Sequence, residues 1–239
     1  MSGHSKWAKI HRAKGAADAE RGKIFQKLAK EIYVAAKGTD GNPDMNPGLR
    51  AVVEKAKGQN MPKDNIQKAI DKATKSVGGE DYEEVRYEGY AHGGVALMID
   101  CLTDNRNRTA MLVRSTITKR GGNLGTDGSV AYMFERKGIV VINKDVDEDT
   151  AMMVALDNGA LDFIVNEENY EIYTAPDTLI KVKEGLESAG VKEFLTSEIT
   201  YIASNQIELD EEGSGKVLAL VESLEDIDDV QNVYYNLSE

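Results

Sequence analysis

Apolar positions recur at helical spacing through the first 75 residues and at strand spacing after them. In "DAERGKIFQKLAKEIYVAAKG", Phe25, Leu28, Ile32 and Ala36 fall on one face. At about 100° per residue, Lys23, Lys27, Lys30 and Lys37 fall on the opposite one. Gly38 supplies a stop. Beyond the loop "TDGNPDMNP", Asn46 offers a cap and Pro47 a first-turn residue. Leu49, Val52, Val53 and Ala56 then follow the i, i+3, i+4, i+7 pattern. "MPKDNIQKAIDKAT" repeats the device with Pro62, followed by Ile66, Ala69, Ile70 and Ala73. Three short helices with narrow, alanine-rich faces predict a small bundle, ended by "SVGGED".

The period then changes. "YEEVRYEGY" alternates as a strand, "GGVALMIDCLT" reads as a strand buried on both faces, "NRNRTAMLVRSTITKRGG" as a helix and "GSVAYMFER" as a further strand. From Gly138 to Ser204 the order is strand, helix, strand, strand, helix, strand, the ferredoxin-like βαββαβ unit. That unit is complete in itself and leaves the preceding region short of strands. The tail carries "NQIELD" as a strand, "GKVLALVESLED" as a helix and "DVQNVYYNL" as a last strand, which can complete the domain begun near residue 80 or extend the ferredoxin-like sheet. The expected fold is α+β and multidomain: a helical bundle, a mixed α/β second domain, and a ferredoxin-like third domain inserted into the second. The expected boundaries are 1–77, 78–137 with 205–239, and 138–204.

Charge changes this picture more than composition does. The 239 residues carry a net charge of -12, unevenly spread: +8 over residues 1–75, -1 over 76–137 and -19 over 138–239. A basic head favours nucleic acid, while an acidic body repels phosphate and faces protein partners or solvent. The single cysteine, Cys101, sits in an apolar run and reads as a small buried hydrophobe. It suits a reducing compartment, and a cytoplasmic location is expected. No run approaches the roughly 18 apolar residues of a membrane span. The N-terminus has no apolar core of a secretory signal and reads as mature sequence.

Catalytic motifs are missing. There is no G-x-S-x-G elbow, no P-loop and no Cys/His metal spacing, and His4, His11 and His92 form no constellation. The expectation is a non-enzyme without cofactor or metal. The acidic run Glu225, Asp226, Asp228, Asp229 reads as a solvated turn between helix and strand.

Two segments concentrate polar chemistry. "TDNRNRTAMLVRSTITKRGGNLGTDGSV" places Ala110, Val113 and Ile117 on a core face, with Arg108 and Lys119 outward and Arg114 flanking, so these three can reach phosphate. Arg106 reads as structural. The glycines that follow lack dinucleotide spacing and form either an anion nest or a tight turn. The other segment is the start of the chain. Lys6, Lys9, Arg12, Lys14, Arg21 and Lys23 are cations, continued along the helix by Lys27 and Lys30. His4 and His11 can meet phosphate. Trp7 can stack on an unpaired base or plug the bundle core.

The motifs "GHSKWAKI", "NPGLRAVVEKAKGQNMPKDNIQKAI", "YEGYAHGGVALMIDCLTDNRNRT", "GGNLGTDGSVAYMFERKG" and "LEDIDDVQNVYYN" together resemble the YebC/PmpR family, which includes the mitochondrial translational activator of cytochrome c oxidase subunit I. The resemblance spans essentially the whole chain and implies the three-domain arrangement read above. It implies one of two functions. Bacterial members are called transcriptional regulators that bind DNA. Others look like translation factors that bind ribosomal RNA and relieve stalls at proline-rich stretches. The resemblance also marks Gly3, His4, Ser5, Lys6 and Trp7 and the "TDNRNRT" segment as functional. The family's His-Arg-Lys run is His11-Arg12-Ala13-Lys14 here, with its cationic character kept.

Overall fold

The computed structural model describes residues 18–75 and 81–238. They form two compact units, one running to Met133 and resuming at Asn205, the other spanning Phe134–Ser204. The first begins with helices α1 (Asp18–Ala36), α2 (Pro47–Gly58) and α3 (Lys63–Lys75), followed by strands β1 (Glu83–Tyr90) and β2 (Ala96–Thr103), helix α4 (Arg106–Lys119) and the short strand β3 (Asn123–Leu124). The second contains β4 (Phe134–Asn143), α5 (Glu148–Asp157), β5 (Ala160–Val165), β6 (Asn169–Thr174), α6 (Leu179–Ser188) and β7 (Phe194–Ala203). The chain then returns to the first unit with α7 (Glu211–Glu225) and β8 (Val230–Tyr235).

The helical domain forms as the apolar stripes predict. Leu28, Ile32, Tyr33 and Ala36 of α1 pack with Leu49 and Val53 of α2 and with Ile66 and Ile70 of α3. Asn46 does two jobs. Its Oδ1 accepts from the Leu49 N–H at 3.0 Å, capping α2, and its Nδ2 donates to the Ala35 carbonyl at 2.8 Å, tying that cap to the end of α1.

The α/β domain is an antiparallel sheet in the order β3-β1-β2-β8. The tail strand β8 lies beside β2 with Val233 opposite Ile99, so the tail completes this domain and leaves the other sheet alone. Leu97, Ile99 and Val233 bury one sheet face against Val113 and Ile117 of α4 and Val217, Leu220 and Leu224 of α7. The second unit is a sheet in the order β5-β6-β4-β7, and Val140, Ile142 and Ile172 face Ala151 and Ala155 of α5 and Val182 and Leu186 of α6. This is the ferredoxin-like domain, inserted between β3 and α7.

Cys101 lies in the α/β core at 3% exposure, and burial pushes its thiol up to about 12. At about pH 8 the thiol is therefore expected to resist an aromatic disulfide reagent until denaturant is added. Rapid labelling of the native protein would contradict this burial.

Three local expectations are corrected. The strand expected over residues 128–136 is divided: Ala131–Met133 is a 3-10 turn, and Phe134 opens the ten-residue strand β4 of the other sheet. The cause is Glu88, whose carboxylate collects the N–H groups of Gly128, Val130 and Ala131. The strand expected over residues 205–210 is only a bridge between Ile207 and Leu237. Here Asp210 caps α7 by accepting from the Gly213 N–H at 2.8 Å, which starts the helix at Glu211 and not at Gly215. The two-residue β3 has no alternation to read. It reaches β1 because Gly89 has no side chain: a Cβ there would stand 2.6 Å from the Asn123 carbonyl oxygen. Among the described residues, no helix is long and apolar enough to cross a membrane.

Candidate nucleic-acid interface

Lys23, Lys27 and Lys30 are spaced four and three residues apart, which brings their side chains to one face of α1. That face does not look into open solvent. It meets the turn between α7 and β8. Lys23 Nζ donates to Asp226 Oδ1 at 2.7 Å, Lys27 Nζ to the Glu225 carbonyl at 2.7 Å, and Lys30 Nζ to the Asp228 carbonyl at 3.0 Å and Asp229 Oδ1 at 3.3 Å. The Glu225 carbonyl ends a helix and has no intrahelical donor, so Lys27 caps the negative end of α7. Burial lowers the Lys27 pKa, against the pull of Glu225, Asp226 and Asp228. The Lys23–Asp226 pair is solvent-exposed on both sides and contributes about 0–1 kcal/mol.

Asp229 is the centre of the arrangement. It is buried, yet its carboxylate accepts from Arg108 Nη2 at 2.7 Å, Thr109 Oγ1 at 2.8 Å, Lys30 Nζ at 3.3 Å and Thr103 Oγ1 at 3.4 Å. Its carbonyl accepts from the Leu102 N–H at 2.8 Å. Arg108 also donates to Asp104 at 2.8 Å. The start of α4 is set for this by Asn105, which caps the helix through the Arg108 N–H at 3.0 Å. Burial pushes the Asp229 pKa up, but the hydrogen bonds from Arg108, Thr109 and Lys30 outweigh it and hold the group below its ordinary value.

A cleft of about 280 Å³ opens between α1, α3 and this turn, with Lys23, Lys27, Lys30, Lys72, Tyr33 and Tyr82 on its walls. The two tyrosine rings meet edge to face at 5.7 Å. Lys30 and Lys72 each stand 5.7 Å from a ring centroid, over Tyr82 and Tyr33 respectively. The cleft therefore offers ammonium groups and aromatic faces together, beside acidic groups already in contact with two of the lysines.

The structure brings together only part of the set selected from sequence. Lys23, Lys27, Lys30 and Arg108 converge on the 225–229 turn. Arg114 and Lys119 are exposed further along α4, about 9 Å and 16 Å beyond Arg108 at helical rise. Arg21 is exposed on α1, ahead of the lysine row. Arg106 is also exposed, and its carbonyl accepts from Tyr87 Oη at 3.3 Å. His4, Ser5, Lys6, Trp7, Lys9, His11, Arg12 and Lys14 lie outside the described residues.

Two carboxylates organise the polar structure, one of which the sequence reading took for part of a solvated turn and the other of which it did not single out. The acidic turn is not simply solvated, because Asp229 is 4% exposed. The signal was its place directly before the apolar strand start Val230, opposite two threonines in "TDNRNRT". The second is Glu88, for which an alternating strand gives no hint. The glycine-rich loop is an anion nest after all, and its anion is internal: Glu88 accepts from Gly128 at 2.7 Å, Val130 at 2.7 Å and Ala131 at 2.8 Å. Among the described residues, no group of three His, Cys, Asp or Glu side chains is placed to hold a metal ion.

A helical domain, an α/β domain and an inserted ferredoxin-like domain, with a cation row on the first meeting a carboxylate turn of the second, define a three-domain α+β protein with a basic head and an acidic body. The chain belongs to the TACO1/YebC family: the model of the family's N-terminal domain matches residues 5–76, and that of its second and third domains matches residues 82–237. It is 53% identical over 242 residues to a protein of Geobacillus kaustophilus named "probable transcriptional regulatory protein", covering 100% of this chain and 98% of the relative. A protein of Geobacter sulfurreducens with the same descriptive name is 53% identical over 236 residues, covering 99% and 95%. The crystal structure of a conserved hypothetical protein from Aquifex aeolicus superposes with a TM-score of 0.81 at 46% identity, covering 94% of this chain and 93% of that one.

Proposed function

We propose that this protein is a non-enzymatic, DNA-binding regulator of gene expression of the YebC type, acting through its basic N-terminal domain together with Arg114 and Lys119 of α4. The observation that carries the reading is the uneven charge: +8 over residues 1–75 against -19 over residues 138–239. A basic head of this kind is attracted to a phosphate backbone. The names of the curated relatives support it as well. The acidic domains would keep the rest of the molecule off the polyanion.

The test is a binding titration of the full chain against promoter duplex, scrambled duplex and ribosomal particles at several salt concentrations. Affinity for duplex should fall steeply with salt, and Lys6, Lys9, Arg12 and Lys14 changed together to Gln should abolish it. Arg114→Gln and Lys119→Gln should each reduce the salt slope by about 1. Equal affinity for promoter and scrambled DNA would rule out a sequence-reading regulator. Absence of duplex binding with co-migration on ribosomes would replace DNA by ribosomal RNA as the target.

A further inference from the structure

The ferredoxin-like domain exposes an apolar patch where its outer strand meets a helix. β5 is one of the two terminal strands of its sheet. Val165 lies opposite Tyr170, whose ring is buried among the core residues under the helices, so Val165 points to that same side. Helix α5 packs on β5. Ala151 and Ala155 mark its core side, and Asn158 against Gly185 of α6 marks one flank. At about 100° per residue, Met152 and Leu156 then lie on the other flank, over β5, with Met153 outermost. Met153 is 62% exposed, Leu156 49% and Val165 42%, which is far from the burial such side chains reach in a finished interface.

The surrounding charge narrows the occupant. Residues 138–204 carry 14 carboxylates against 4 lysines. Asp149 and Asp157 stand on α5 beside the patch, and Asp162, Glu167 and Glu168 on or next to β5. A second copy of this domain, a nucleic acid and an anionic lipid surface are all repelled by that field. Strand addition to β5 is also hindered, since the Phe163 N–H is taken by Asp162 Oδ1 at 2.9 Å. We propose that this face of the ferredoxin-like domain docks a basic amphipathic helix of a partner protein. Its apolar stripe covers Met152, Met153, Leu156 and Val165, and its cations meet the carboxylate rim.

The experiment uses the full chain with labelled Met, Leu and Val methyl groups, titrated with a 16-residue helical peptide of Leu and Lys and with its Leu and Glu counterpart. The Lys peptide should shift the signals of those four residues together, saturating at one peptide per chain, and the Glu peptide should shift none of them. Leu156→Gln with Val165→Thr, both at exposed positions, should weaken the Lys peptide about tenfold or more. Shifts spread over the acidic surface, or an affinity indifferent to the double substitution, would overturn the proposal. So would movement of the same signals with protein concentration alone, because the occupant would then be a second copy.

Discussion

Asp229→Ala is expected to lower the unfolding free energy by about 3 kcal/mol, the range for removing one member of a buried charged hydrogen-bond network. The loss is not larger because the cations left behind can turn to water: the Arg108 side chain is 45% exposed and that of Lys30 22%. Thr103 and Thr109 cannot do so, since both are buried at 0% exposure. Asp229→Asn should lose less, as it keeps an acceptor for Thr109 while losing the charge that holds Arg108 and Lys30. Chemical denaturation at neutral pH measures both, and an alanine variant within about 0.5 kcal/mol of the parent would show that the network contributes nothing net. The same carboxylate predicts a pH dependence. Its folded pKa lies below the ordinary 3.8, because the donors outweigh burial. The unfolded chain therefore takes up the proton first. The stabilisation is fully present above the unfolded value and is lost as pH falls through the folded one. The alanine variant should show a flatter acid limb than the parent.

Glu88→Gln is expected to cost about 2–3 kcal/mol, because the carboxylate accepts three backbone N–H groups and an amide offers one oxygen and two competing hydrogens. The site is 5% exposed, so water replaces little of what is lost. The loss should be local as well as global. Amide exchange should quicken at Gly128, Val130 and Ala131, while the 96–103 strand stays protected until global unfolding. Unchanged exchange at those three amides would remove Glu88 from the role of loop anchor. Burial pushes the Glu88 pKa up, yet the bonds from Val130, Gly128 and Ala131 bring it below the usual value. Its stabilisation therefore fades on acidification in the same sense as that of Asp229.

Much of the architecture was legible in the sequence because each signal is local. Leu28, Ile32 and Ala36 repeat within one helix, Asn46 and Pro47 announce the next, and the order of strands and helices after Gly138 spells the ferredoxin-like unit without long-range information. The misreadings came from the same local signals. Residues 128–136 have the composition of a strand, but Glu88, forty residues away, draws the backbone of the first half into a turn. Residues 205–210 look extended, but Asp210 is a better helix cap than a strand residue.

What the sequence determined by itself was the kind of most elements, the burial of Cys101 and the division into a basic head and an acidic body. These follow from periodicity and composition, which a chain carries in any conformation. What only the tertiary structure decided was the partner of each charge. Lys23 and Asp226 are 203 positions apart, and Arg108 and Asp229 are 121 apart. A lysine face looks the same in sequence whether it awaits a phosphate or lies against a carboxylate turn. Electrostatic energy depends on distance and burial, and those are fixed only when β8 folds back beside β2 and sets the 225–229 turn against α1.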